Sequence, residues 1–137
     1  GTAATASSAI SNTVDDVLYR SERWGAFSYG FTVPAGSYQV TLKFAETVYT
    51  SSGQRLFNVA INGATVLSNF DIVVAAGGAN TAVDRTFTAS AGSGSNNLQI
   101  QFIHMSGQSD DPKVDAIEIA SGGATAPAIA SFRRLSR

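Results

Sequence analysis

Few residues in this chain could carry out chemistry. His104 is the only histidine and cysteine is absent. That excludes a histidine-cluster metal site, a two-histidine relay, a thiol nucleophile and a disulfide framework. A Ser-His-Asp relay is open on composition, but no strand-to-helix nucleophile elbow accompanies it. There are ten carboxylates, at Asp15, Asp16, Glu22, Glu46, Asp71, Asp84, Asp110, Asp111, Asp115 and Glu118. A glycosidase needs two of them roughly 5 to 9.5 Å apart, a gap that spacing along the chain does not measure. Asp15 with Asp16, or Asp110 with Asp111, offers oxygens to Ca²⁺, yet paired acids in loops are more often simply solvated. "AAGGAN" lacks the lysine and the following helix of a phosphate loop. The expectation is a non-enzyme with no metal and no cofactor.

Aromatic rings mixed with charges offer a different chemistry. In "LYRSERWGAFSYGF", residues 18–31, Tyr19 and Trp24 stand among Arg20, Glu22 and Arg23. A flat ring rimmed by charged hydrogen-bond partners suits a sugar, whose apolar face stacks while its hydroxyls are bonded. The alternative for both residues is capping one end of the fold. Tyr49, before "TSSG", reads as loop-exposed and a contact candidate. Asp110 either accepts sugar hydroxyls or forms an Asx turn before Pro112. Glu46 is expected to brace its loop by pairing with Arg55 or Arg23, and Asp71 to tie down the turn after its strand. The candidate binding set is Tyr19, Trp24, Tyr49 and Asp110.

Strands must position these groups. Phe27, Tyr29, Phe31 and Val33 alternate with small residues, and Tyr38, Val40, Leu42 and Phe44 alternate with polar ones, so both runs read as half-buried strands. "PAGS", residues 34–37, reads as the turn of a hairpin between them. Phe57 to Ile61 is a strand closed by Asn62-Gly63, a strong hairpin signal, with Thr65 to Leu67 returning. Residues 73–80 read as a turn-rich loop, Val83 to Phe87 as a strand and 91–97 as a loop. Leu98, Ile100 and Phe102 alternate, and Ile117 and Ile119 close the series. No three-turn amphipathic helix appears. Seven or eight short strands predict an all-β, jelly-roll-like β-sandwich over 14–120. Residues 1–13 read as a loose arm, and 121–137 as a linker-like extension able to add a strand.

A length of 137 residues allows about one domain. The net charge of −1 and the lack of any basic block give no field for nucleic acid. No apolar run approaches the roughly 20 residues that cross a bilayer. Abundant small residues with only 14% charged side chains suit a secreted or surface-displayed β-protein.

"LYRSERW" (18–24), "YQVTLKFAE" (38–46), "GQRLFNVAING" (53–63), "NFDI" (69–72) and "DDPKVDAIEI" (110–119) come in the order of the malectin and malectin-like carbohydrate-binding family, which this chain resembles over roughly residues 14–119. The resemblance implies a β-sandwich that binds oligosaccharide without catalysis, in a module of secreted or surface proteins. It matches the family's sugar-contacting positions to Tyr19, Tyr49 and Asp110, and puts Val48 where the family has an aromatic. It also implies that the family's first strand is missing here, leaving an edge to be covered. Either the C-terminal segment folds back, or a neighbour lends a strand, giving a homo-oligomer or filament through the termini. That assembly is the alternative to a carbohydrate-binding function.

Overall fold

A computed structural model of the chain describes residues 1–122 and 128–130. Two four-stranded antiparallel sheets form a β-sandwich. In one, β4 (Gly36–Phe44) lies between β7 (Val83–Ala91) and β10 (Ala116–Ser121), with β11 (Ala128–Ala130) outside β10. In the other the order is β3 (Phe27–Phe31), β8 (Leu98–His104), β5 (Phe57–Ile61), β6 (Ala64–Phe70). A smaller sheet runs β1 (Thr2–Thr5), β2 (Ser21–Trp24), β9 (Lys113–Val114).

Period-two alternation builds the core. Tyr38, Val40, Leu42 and Phe44 of β4 point inward with Ile117 and Ile119 of β10. They meet Phe57, Val59 and Ile61 of β5 and Leu98, Ile100 and Phe102 of β8. Phe27, Tyr29 and Phe31 on the edge strand β3 are half-buried against this core, Phe27 stacking on Phe102 at 4.7 Å between centroids. That half of the aromatic cluster is fold.

The Asn62-Gly63 hairpin forms as its sequence dictates. Ile61 pairs with Ala64, and the two turn residues have φ of 48° and 82°. Asn62 also stitches elements together: its Oδ1 accepts from the Gln99 amide at 2.8 Å and its Nδ2 donates to the Ser90 carbonyl of β7 at 2.9 Å. Replacing Asn62 with alanine should therefore cost about 1–2 kcal/mol, by losing two hydrogen bonds and the polar side chain that lets asparagine tolerate positive φ. A urea melt that loses less than this would show that water replaces both bonds.

Four sequence expectations change. Phe27–Phe31 and Gly36–Phe44 are not a hairpin, because β3 pairs with β8 whereas β4 pairs with β7 and β10. The turn is an arch between sheets. The Asn97 side chain donates to the Val33 carbonyl and accepts its amide, and the Tyr38 hydroxyl donates to the Pro34 carbonyl. Residues 73–80 are not all loop. α2 (Ile72–Ala76) is one turn, capped by Asp71 Oδ1 on the Val74 amide at 3.2 Å and ended by Gly77 at φ 84°. Residues 1–13 are not a loose arm: Thr2–Thr5 pairs with β2, Ser11 bridges to Thr81, and Ile10 is buried with Tyr19, Ala45 and Ala82. The backbone of β2 had a ladder to complete, and Ile10 an apolar niche to fill. The strand count also rises, to eleven among the described residues.

At the other end, Ala128–Ala130 runs antiparallel to β10, Ile117 facing Ala130; residues 123–127 and 131–137 of the expected extension lie outside the described residues. Asp15 caps the single-turn α1 (Asp16–Arg20) by accepting from the Leu18 amide at 3.1 Å. Among the described residues no group of three acids or histidines is placed to hold a metal ion, and no helix is long and apolar enough to cross a membrane.

Candidate functional site

Alternation along β2 creates the site. Ser21 and Arg23 face one way, Arg23 laying its guanidinium 5.7 Å from the Tyr29 ring centre. Glu22 and Trp24 face the other way, into a cleft of about 560 Å³. The chain leaving β4 adds Thr47 and Val48, residues 4–8 form a further wall, and Arg55 and Asp110 complete the lining. Trp24 is 37% exposed, so its indole presents a ring at the rim.

The floor is charged but internally paired. Arg55 and Glu46 are 4% and 1% exposed. Arg55 Nε and Nη2 reach Glu46 Oε1 and Oε2 at 2.7 and 3.3 Å, and Nη1 donates to the Asp111 carbonyl at 2.6 Å. Glu46 also accepts the Val48 amide at 3.2 Å, so it braces the loop through Arg55, as one of its two expected partners. Arg55 stands 3.7 Å from Asp110 Oδ1 and lies 5.4 Å from the Tyr49 ring centre. Burial works against its charge, but Glu46, Asp110 and Glu22 more than offset this and push its pKa up.

Asp110 Oδ1 accepts the Asp111 amide at 2.7 Å and Oδ2 accepts the Tyr49 hydroxyl. Partial burial favours its protonated form. The hydrogen bonds from Tyr49 and the Asp111 amide, with the charge of Arg55, reverse that and hold the carboxyl below its ordinary range. Asp110 is thus a fixed anion at the cleft, an acceptor for O–H donors.

Of the four expected contact residues, the structure brings Trp24 and Asp110 to the cleft. Tyr49 stands behind Asp110 and orients it. Tyr19 is the correction. It is 4% exposed, packed on Ile10, Ala45 and Ala82, with its hydroxyl donating to Asp84 Oδ1 at 2.5 Å. Burial and the Asp84 carboxylate push its pKa up. It sits in the α1 turn, which directs it under the sheet rather than toward solvent. Asp71 holds its turn as expected, capping α2 and accepting the Gly53 amide at 2.6 Å. His104 ends β8 beside Asp111 at 3.0 Å, away from the cleft lining. Sequence reasoning missed Glu22, Arg55 and the 4–8 wall as lining. The signal for Glu22 was its i, i+2 relation to Trp24 on one strand.

A family model described as "Malectin domain" matches residues 2–117. The chain belongs to the malectin-domain family. Similar proteins include Malectin-B of Xenopus laevis, 34% identical over 128 residues, covering 83% of this chain and 45% of that protein. Human malectin is 34% identical over 126 residues, covering 82% of this chain and 42% of its own length. This malectin domain therefore spans less than half the length of the malectins it matches. Among solved structures, the extracellular domain of Arabidopsis thaliana ANXUR2 superposes with a TM-score of 0.77 at 18% identity, covering 97% of this chain and 40% of that one. A Bacteroides uniformis beta-glucuronidase superposes at 0.74 and 24% identity, over 89% of this chain and 13% of that one. Those two likenesses establish the fold.

Proposed function

We propose that this malectin domain is a non-catalytic carbohydrate-binding module of a secreted or surface-displayed protein. It takes an oligosaccharide in the cleft between Trp24 and Asp110. The observation that carries the reading is the pairing of an exposed indole with a carboxylate fixed as an anion across one cleft. The indole stacks on an apolar sugar face, and Asp110 accepts hydroxyl donors. Membership in the family supports the ligand class. The extracellular domains among its structural neighbours support the location.

Hydrolysis is a poor fit. A general acid must hold its proton while facing the substrate. Asp115, whose carboxyl is pushed up chiefly by burial, has no exposed surface. Assembly by strand exchange gains no support, since β1 and β11 pair within the chain.

The test is a glycan array followed by calorimetry on the best ligand. Asp110→Ala should lower affinity by about tenfold or more, the worth of a hydrogen bond to a charged group. Trp24→Ala should cost roughly three- to tenfold from lost stacking. Both variants should stay folded, because neither side chain is in the core cluster. Unchanged affinity in both would end the site assignment.

A further inference from the structure

Lys113 is fully buried, yet it carries a charge. It lies on β9 opposite Trp24 of β2. Its ammonium has three N–H groups and meets three oxygens: Glu22 Oε1 at 2.7 Å, the Ala45 carbonyl, and Asp115 Oδ1 at 3.4 Å. Burial alone would neutralise it, but Asp115, Glu22 and Glu46 outweigh burial and push its pKa up.

This arrangement is costly. A buried ion pair often contributes no more stability than a well-packed apolar residue would. The cluster is also incomplete, because Asp115 Oδ2 is buried without a hydrogen-bond partner while its Oδ1 accepts the Ala45 amide at 2.9 Å. Packing alone does not account for a lysine here.

Glu22 does. It lines the cleft, and both hydrogen bonds it receives among the described residues end on one oxygen. Oε1 accepts from Lys113 and, at 3.1 Å, from the Thr47 hydroxyl. That fixes the carboxylate's rotation and leaves Oε2 for whatever occupies the cleft. We infer that Lys113, although it never reaches the cleft, is the positioning residue that holds Glu22 as a second hydroxyl acceptor opposite Asp110. The inference rests on the proposed carbohydrate-binding function. It makes recognition depend on two fixed acceptors, each with a cation behind it: Arg55 behind Asp110, and Lys113 behind Glu22.

The test is a double-mutant cycle read in glycan affinity, on folded full-length chains, with the glycan selected on the array as probe. Glu22→Gln and Lys113→Met should each lower affinity about tenfold. In the Glu22→Gln background, Lys113→Met should change affinity less than about twofold, because its route to the ligand is already cut. A conservative variant adds a readout that packing would not move. Lys113→Arg keeps a cation behind Glu22 but fits the buried space less well than methionine, so it should bind the glycan more tightly than Lys113→Met, whereas a packing role would give the reverse order.

If Lys113→Met fails to fold, Lys113→Met with Asp115→Asn also removes the buried carboxyl that loses its lysine partner, and the cycle is run on that pair. Equal losses in the Glu22 and Glu22→Gln backgrounds, with Lys113→Arg binding no more tightly than Lys113→Met, would make Lys113 purely structural and overturn the inference alone. A wild-type chain that binds no glycan overturns the proposed function, and the inference falls with it.

Discussion

Arg55→Met should destabilise the domain by about 3–5 kcal/mol, the cost of stranding one member of a buried ion pair. Arg55 is 4% exposed and Glu46 is 1% exposed, so water cannot replace the guanidinium. The change removes both hydrogen bonds to Glu46 and the one to the Asp111 carbonyl. It also takes away the cation near Asp110. Guanidinium denaturation should show the midpoint falling with little change in slope. Arg55→Met combined with Glu46→Leu should recover at least half of the lost stability, because the stranded charge is gone. Glycan affinity should stay low in the double variant, since the loop anchor that Glu46 supplies to the Val48 amide is lost too. Recovery of binding along with stability would show that Asp110 needs no cation behind it.

The acid side of the stability profile follows from the same contacts. Asp110 is held below the ordinary carboxyl value of 3.8 in the folded chain. The unfolded state therefore takes up the proton first. The stabilisation is present above that value and is lost as pH falls through the lower folded one. Removing Arg55 should shrink this contribution. Because Asp110 is partly exposed, the change is smaller than that from the buried pair.

The sequence showed local pattern more clearly than partnership. The runs at 38–44 and 98–102 alternate, and they became β4 and β8 because one face of each had to be buried. Asn62-Gly63 sets its own hairpin register through positive φ. "PAGS" looks equally like a turn, but a turn does not say which sheet receives the next strand. Here Asn97, more than sixty residues downstream in sequence, decides that the chain arches across. Thr2–Thr5 carries no apolar alternation at all, and all four of its residues are exposed. Its pairing is a backbone matter that side-chain patterns do not record. α2 had its capping signals, Asp71 and Gly77, at the right spacing, but five residues give too little periodicity to register.

The site was half legible for a similar reason. Trp24 and Asp110 are of types that bind sugar when exposed, and both reached the cleft. Tyr19 has the same kind of ring, but Asp84 and Ile10 claim it from distant parts of the chain. Glu22 read as part of a charged rim and Arg55 as a loop brace, but nothing along the chain marked either of them, or Lys113, for burial. Only three-dimensional pairing makes their burial tolerable, and no residue count along the chain announces it.

Phe44→Ala should cost a further about 3–5 kcal/mol, here by leaving a cavity rather than a charge. Phe44 is completely buried at the end of β4, its ring centre 4.9 Å from that of Phe70 and 5.9 Å from that of Phe57. The two neighbours are themselves in edge-to-face contact at 5.7 Å, so they are held apart and cannot easily collapse into the space. A domain of this length should lose roughly 10–20 °C in melting temperature. The residue after Phe44 makes this more than a packing measurement. Ala45 offers its carbonyl to Lys113 and its amide to Asp115, so Phe44 is bonded along the chain to a residue tied into the buried charge cluster. If the cavity stays local, Phe44→Ala should keep glycan affinity in the fraction that is folded, while Phe44→Ala with Lys113→Met should show a coupling of more than about 0.5 kcal/mol in stability. A melting loss below about 5 °C would mean that the core refills the space.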